Sequence, residues 1–138
     1  MPQNVPYLHF KGNCREAMTF YNDCLSGKLD VQTIGESPMA AETPKEALNT
    51  VMHSSVEKDG FMLFGSDVMH PDDLDMGNAV TLCVVCTSKA EIETLFSKLS
   101  AGGKVTHPLK EEFFGTFGDF TDKYGFDWMF QFDGKAKP

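Results

Sequence analysis

The chain has 138 residues, 41% of them hydrophobic, enough for one domain (residues 1–138) with a sizeable core. Its formal net charge of −8 argues against a nucleic-acid phosphate backbone or an anionic membrane as partner. No apolar run nears the ~20 residues of a membrane span, and the N-terminal Met-Pro-Gln-Asn-Val shows no signal segment, so the expected location is the cytoplasm.

Taken in order, Val5 to Lys11 reads as a strand and Asn13 to Leu25 as an amphipathic helix. Asn13 and Glu16 have the spacing of a capping box. Ala17, Phe20, Tyr21, Cys24 and Leu25 form one apolar stripe, and Gly27 stands where a helix ends in a left-handed residue. Lys28 to Glu36 alternates as a second strand, Ser37 to Glu46 is a Pro-containing loop, and Asn49 to Glu57 with Phe61 to Asp67 is a hairpin turning at Lys58-Asp59-Gly60. Residues 4–67 thus make a βαβββ module. Residues 68–78 are an acidic connector without the ligand spacing of a calcium loop.

The pattern then restarts over 79–133. Ala79 to Cys86 is a strand, and Ser88-Lys89-Ala90-Glu91 is a second capping box. Ile92, Leu95, Phe96 and Leu99 repeat Ala17, Phe20, Tyr21 and Cys24 at the offset that separates Asn13 from Ser88. Lys104 to Pro108 reads as a short strand, and Phe113 to Thr121 with Phe126 to Phe132 as a hairpin whose Lys123-Tyr124-Gly125-Phe126 turn echoes Lys58-Asp59-Gly60-Phe61. The expected fold is therefore α+β, two tandem βαβββ modules. Each helix covers one face of its sheet, and pairing the modules is expected to enclose a ligand cleft between the two uncovered faces.

The cysteines fit a reducing compartment. Cys14 and Cys24 lie about 15 Å apart along one helix, too far to bridge. Cys83 and Cys86 spell C-x-x-C, but on a strand they point to opposite faces, which makes them ordinary strand cysteines and not a redox or zinc pair.

Paired βαβββ modules resemble the vicinal oxygen chelate superfamily of glyoxalase I, extradiol dioxygenases, and bleomycin and fosfomycin resistance proteins. The segments Pro6-Tyr7-Leu8-His9-Phe10-Lys11-Gly12-Asn13-Cys14, Val51-Met52-His53, Ser66-Asp67, Gly102-Gly103-Lys104-Val105 and the run from Phe117-Gly118 through Asp122 and Gly125 to Trp128 resemble its PhnB-like branch. That branch is often labelled 3-demethylubiquinone-9 3-methyltransferase. The resemblance covers nearly the whole chain and implies a homodimer. It also implies that a metal would be held from the first and last strand of each module, positions that align with Pro6, Phe64, Thr81 and Met129. None of these is a usual ligand for a divalent metal, so no metal site is expected. No Gly-rich loop follows a strand in the manner of a nucleotide-type cofactor site, which leaves the methyltransferase label without a mechanism.

With those four positions facing inward, strand alternation places Leu8, Phe10, Met62, Phe64, Ser66, Thr81, Cys83, Val85, Phe117, Asp127, Met129 and Gln131 on the cleft. Val80, Leu82, Val84, Trp128, Phe130 and Phe132 should pack beneath the helices. Such a cleft is mostly apolar and suits a small organic molecule, with no cofactor. Asp119, between Met129 and Phe117, is the candidate general acid or base, its apolar setting favouring the neutral acid. His53 is the second catalytic candidate, although the simplest strand pairing turns it away from the cleft. His9 follows the helix-facing parity, Cys83 has no evident base beside it, and Phe113 with Phe114 suits an aromatic lid or a dimer contact. The leading expectation is a metal-independent binding protein of the sequestering kind. The alternatives are a divalent-metal enzyme of glyoxalase or dioxygenase type, with ligands such as His53 and Asp119, and a methyltransferase.

Overall fold

A computed structural model describes residues 2–134. The chain forms two compact units, Met1–Asp75 and Met76–Pro138, each described by itself. The first contains β1 (Tyr7–Phe10), α1 (Cys14–Leu25), β2 (Lys28–Thr33), β3 (Val51–Lys58) and β4 (Phe61–Asp67). The second contains β5 (Leu82–Val85), α2 (Lys89–Ser100), β6 (Lys104–Glu112), β7 (Gly115–Thr121) and β8 (Asp127–Phe132). Three short 3₁₀ turns fill the loop between β2 and β3.

The two sheets share one topology. Strand order is β1-β4-β3-β2 in the first and β5-β8-β7-β6 in the second. In each, the first and last strands pair in parallel and the other neighbours are antiparallel. The chain is therefore a tandem of βαβββ modules, α+β in class.

Each helix seals one face of its own sheet. On α1, Cys14, Ala17, Met18, Tyr21, Cys24 and Leu25 are buried, while Phe20 is half-buried, so the apolar stripe is wider than the sequence period suggested. Ile92, Phe96 and Leu99 are the buried positions of α2. Phe96 stands edge-on to Phe120 and Phe130, with ring centroids at 5.0 and 5.8 Å. Trp128 and Phe130 lie in this core, as expected. Val80 does not: it precedes β5 and is 79% exposed, because the strand begins only at Leu82.

The helix ends differ from expectation in instructive ways. Ser88 caps α2 as predicted, its hydroxyl accepting from the Glu91 N–H at 3.1 Å. The Glu91 carboxylate reaches one residue further back than the motif specifies, to the Thr87 N–H at 2.9 Å. Asn13 makes no side-chain cap. Asp67, at the far end of β4, supplies it instead. Its Oδ1 accepts from the Gly12 and Cys14 N–H groups at 3.1 and 3.0 Å, and its Oδ2 accepts from the Val51 N–H at 3.0 Å. At the other end of α1 the left-handed residue is Ser26 (φ 55), not Gly27. Gly27 is required by crowding, since a Cβ there would lie 2.6 Å from the Glu57 carbonyl oxygen.

In the second unit β6 runs on past Pro108 to Glu112, which the sequence reading missed. The ladder with β7 slips between Val105 and His107 and again between His107 and Lys110. Pro, which cannot donate to a ladder, is tolerated on such an irregular edge strand. The β6–β7 turn is Phe113-Phe114, with Phe113 fully exposed.

Candidate functional site

The helices leave the opposite face of each sheet uncovered. On the first sheet that face carries Tyr7 and His9 from β1, Phe64 from β4 and His53 from β3. Tyr7 pairs in register with Phe64, and Phe64 with Ser55. The His53 and Phe64 rings are 4.9 Å apart, the Tyr7 ring lies 5.1 Å from His9 and 5.8 Å from His53, and the Tyr7 hydroxyl is within hydrogen-bond distance of His53 Nδ1 at 3.3 Å. The result is a patch of four ring side chains, polar at their edges.

Three placements here correct the sequence reading. Leu8 and Phe10 are 4% and 3% exposed and lie on the helix side, not on the open face. The reason is the β1–β4 register, which sets Leu8 against Gly65. With no side chain at Gly65, Phe10 and Met18 fill its place; a Cβ there would sit 3.1 Å from the Phe10 ring and 3.0 Å from Met18 Sδ. His9 is accordingly on the open face and exposed. His53 is turned to the open face as well, because the hairpin turns on Asp59-Gly60 alone: Lys58 pairs with Phe61 and Ser55 with Phe64, and His53 shares the parity of Ser55. The extra residue at Met52 acts one step earlier in the strand, where it returns Val51 to the buried side.

The open face of the second sheet carries Cys83 on β5, Met129 and Gln131 on β8, and Phe117 and Asp119 on β7, opposite the buried Gly118, Phe120, Trp128 and Phe130. Thr81, just before β5, contributes with Asp119 and Met129 to a shallow pocket of about 300 Å³. Asp119 is not in the apolar setting anticipated for it. His107 lies across the ladder, and its Nδ1–H donates to Oδ1 and Oδ2 of Asp119 at 2.9 and 3.0 Å. His107 escaped the sequence reading, although it lies within the expected Lys104–Pro108 strand, because unbroken pairing would set Thr106 opposite Asp119; the slip between Val105 and His107 brings His107 there instead. His53 and Asp119 belong to different units.

Cys14, Cys83 and Cys86 are poor nucleophiles. Burial pushes Cys14 up to about 11 and Cys86 up to about 12, and burial also raises Cys83, which is nonetheless exposed.

A family profile described as 3-demethylubiquinone-9 3-methyltransferase matches residues 2–131. The chain belongs to that family. Two similar solved structures are protein PA1353 from Pseudomonas aeruginosa (36% identical, covering 98% of this chain and 100% of that one, TM-score 0.84) and a putative 3-demethylubiquinone-9 3-methyltransferase, PhnB protein, from Bacillus cereus (25%, 95% and 99%, TM-score 0.75). A glyoxylase/bleomycin resistance protein/dioxygenase domain from Frankia sp. EAN1pec shares the fold (16%, 99% and 95%, TM-score 0.68). The chain is thus a PhnB-like member of that family with the fold of a glyoxylase/bleomycin resistance protein/dioxygenase domain.

The divalent metal that the resemblance implied does not fit the residues of this PhnB-like chain. Of the four implied positions, Pro6 and Phe64 have no side-chain donor atom, Thr81 offers only a hydroxyl, and Met129 offers a soft thioether paired with Cys83. Among the described residues no three His, Cys, Asp or Glu side chains converge as a metal site would require. A nucleotide-type methyl donor fits no better in the doubly wound manner, since the Gly12 and Cys14 amides at the start of α1 are already taken by Asp67. No helix among the described residues is long and apolar enough to cross a membrane.

Proposed function

We propose that the chain is a binding protein for a small organic molecule with a flat ring, and that it works without a catalytic metal. The observation that carries this reading is the uncovered patch of Tyr7, His9, His53 and Phe64. Ring side chains presented edge to face offer stacking area at low entropic cost, and the Tyr7 hydroxyl and the imidazoles supply hydrogen bonds that would fix a ligand's orientation. Phe64 belongs to the set expected from strand alternation; Thr81, Cys83, Phe117, Met129 and Gln131 remain candidates on the second unit. A homodimer accords with the exposed Val85, Phe113 and Phe114, and light scattering of the purified protein tests it.

The test is a titration of isotope-labelled protein with planar aromatic acids and phenols, read by NMR. Ligand shifts should centre on Tyr7, His53 and Phe64, and Tyr7→Ala should weaken binding by about tenfold, the worth of one aromatic contact. Shifts that ignore this face would overturn the reading. Stoichiometric divalent metal in purified protein would overturn its metal-free part.

A further inference from the structure

We propose a second ligand site, on the other unit, for a small uncharged polyhydroxylated molecule. It is the pocket of about 300 Å³ whose polar lining is Asn78, Thr81, Thr106, Asp119, Thr121 and Asp127, with Phe120, Trp128 and Met129 completing it. That volume sits at the lower end of small-molecule sites and suits a ligand of monosaccharide size.

Six of the nine lining side chains are thus polar, and among them acceptors predominate. The two carboxylates only accept, while the three hydroxyls and the amide both donate and accept. No Lys or Arg lines the pocket, so an anion would find no counter-charge there. A ligand rich in O–H donors matches this inventory.

The acceptors are also held in place. Thr121 Oγ1–H donates to Asp127 Oδ1 at 2.6 Å, and His107 Nδ1–H donates to both oxygens of Asp119. The second contact determines more than the position of Asp119. A carboxylate cannot donate, so the hydrogen resides on Nδ1, and in the neutral ring Nε2 is then an acceptor. The β6 ladder slips on both sides of His107, and bulges of this kind re-aim a side chain. An organic cation is the rival occupant for two carboxylates. A neutral ligand is favoured because Asp119 already faces a basic partner in His107 and Asp127 already accepts a hydroxyl.

The experiment is an NMR titration of the whole chain with sorbitol and with methyl glucoside, using putrescine and benzoate as contrasting probes. Sorbitol or methyl glucoside should shift the amides of Thr81, Thr106, Asp119 and Thr121. Each of Asp119→Asn and the exposed Thr81→Val should weaken binding by about fivefold, the equivalent of one hydrogen bond. Shifts with putrescine alone, or none with either polyol at concentrations on the order of 100 mM, would overturn the proposal. The same spectra report Tyr7 and His53 separately, so failure of the aromatic-face reading and failure of this one are distinguishable.

Discussion

Two aspartates do structural work from strand ends, and neither is a catalytic candidate. Asp67 joins the β1–α1 turn to β3 through three backbone amides. Asp122, 3% exposed, receives the Tyr124 and Phe126 amides at 2.8 and 3.0 Å and the Trp128 indole N–H at 2.8 Å. Hydrogen bonds to a charged acceptor contribute about 1.5–3 kcal/mol each at most, and amides stripped of a partner can recover water where they are exposed. Asp67→Ala should therefore cost about 2–4 kcal/mol, measured by urea denaturation. The buried thiols make a second residue-scale prediction. An unfolded thiol ionises near 9.0, whereas burial holds Cys14 neutral to about 11 and Cys86 to about 12. Above pH 9 the unfolded chain sheds protons that the folded chain retains. Their contribution to stability is complete below pH 9 and falls as pH rises through that window. Urea midpoints from pH 8 to 11 should decline, and less steeply in Cys86→Ala.

At the scale of elements, the α1–β2 junction separates two roles that glycine usually combines. Ser26 bears the left-handed conformation and Gly27 the close approach to β3. Ser26→Gly should stabilise the protein by about 1 kcal/mol by relieving the strain on Cβ. Gly27→Ala should destabilise it by about 1–3 kcal/mol, since a backbone carbonyl cannot step aside as a side chain can. Thermal melts of the two variants should move in opposite directions. The same scale explains what the sequence concealed. The helices and turns, and the order of elements along the chain, were legible because apolar stripes, the Ser88 cap and the Asp59-Gly60 turn are local signals. The facing of His9 and His53 was not, because it depends on how β1 registers against Gly65 and on whether the β3–β4 hairpin turns on two residues or three. The His107–Asp119 pair was hidden for the same reason: a bulged strand running through Pro108 leaves no periodic trace.

For the whole molecule, the repeat that fixed the fold says little about chemistry. The two modules share topology, yet one uncovered face is a ring cluster and the other a hydroxyl- and carboxylate-lined pocket. A single apolar lining was the natural expectation from strand alternation alone. It failed at Leu8 and Phe10, where the parity was wrong, and at Asp119, where a cross-strand partner was missing.

The way the two helices are capped has a further consequence, for the order in which the chain assembles. The cap of α2 comes from Thr87, Ser88 and Glu91, all in or immediately before the helix's own first turn, so that helix can be completed as soon as it is made. The cap of α1 comes from Asp67, 55 and 53 positions from the amides it serves. Closing a loop of that length costs entropy before the contact repays it. The first helix must therefore wait for β4, and its N-terminal turn is sealed in the same event that completes its sheet. Pulsed hydrogen exchange during refolding should show the first-turn amides of α2 protected before those of Gly12 and Cys14. In Asp67→Ala the gap should persist into the native state, with the Gly12 and Cys14 amides exchanging as though that end of the helix had never closed.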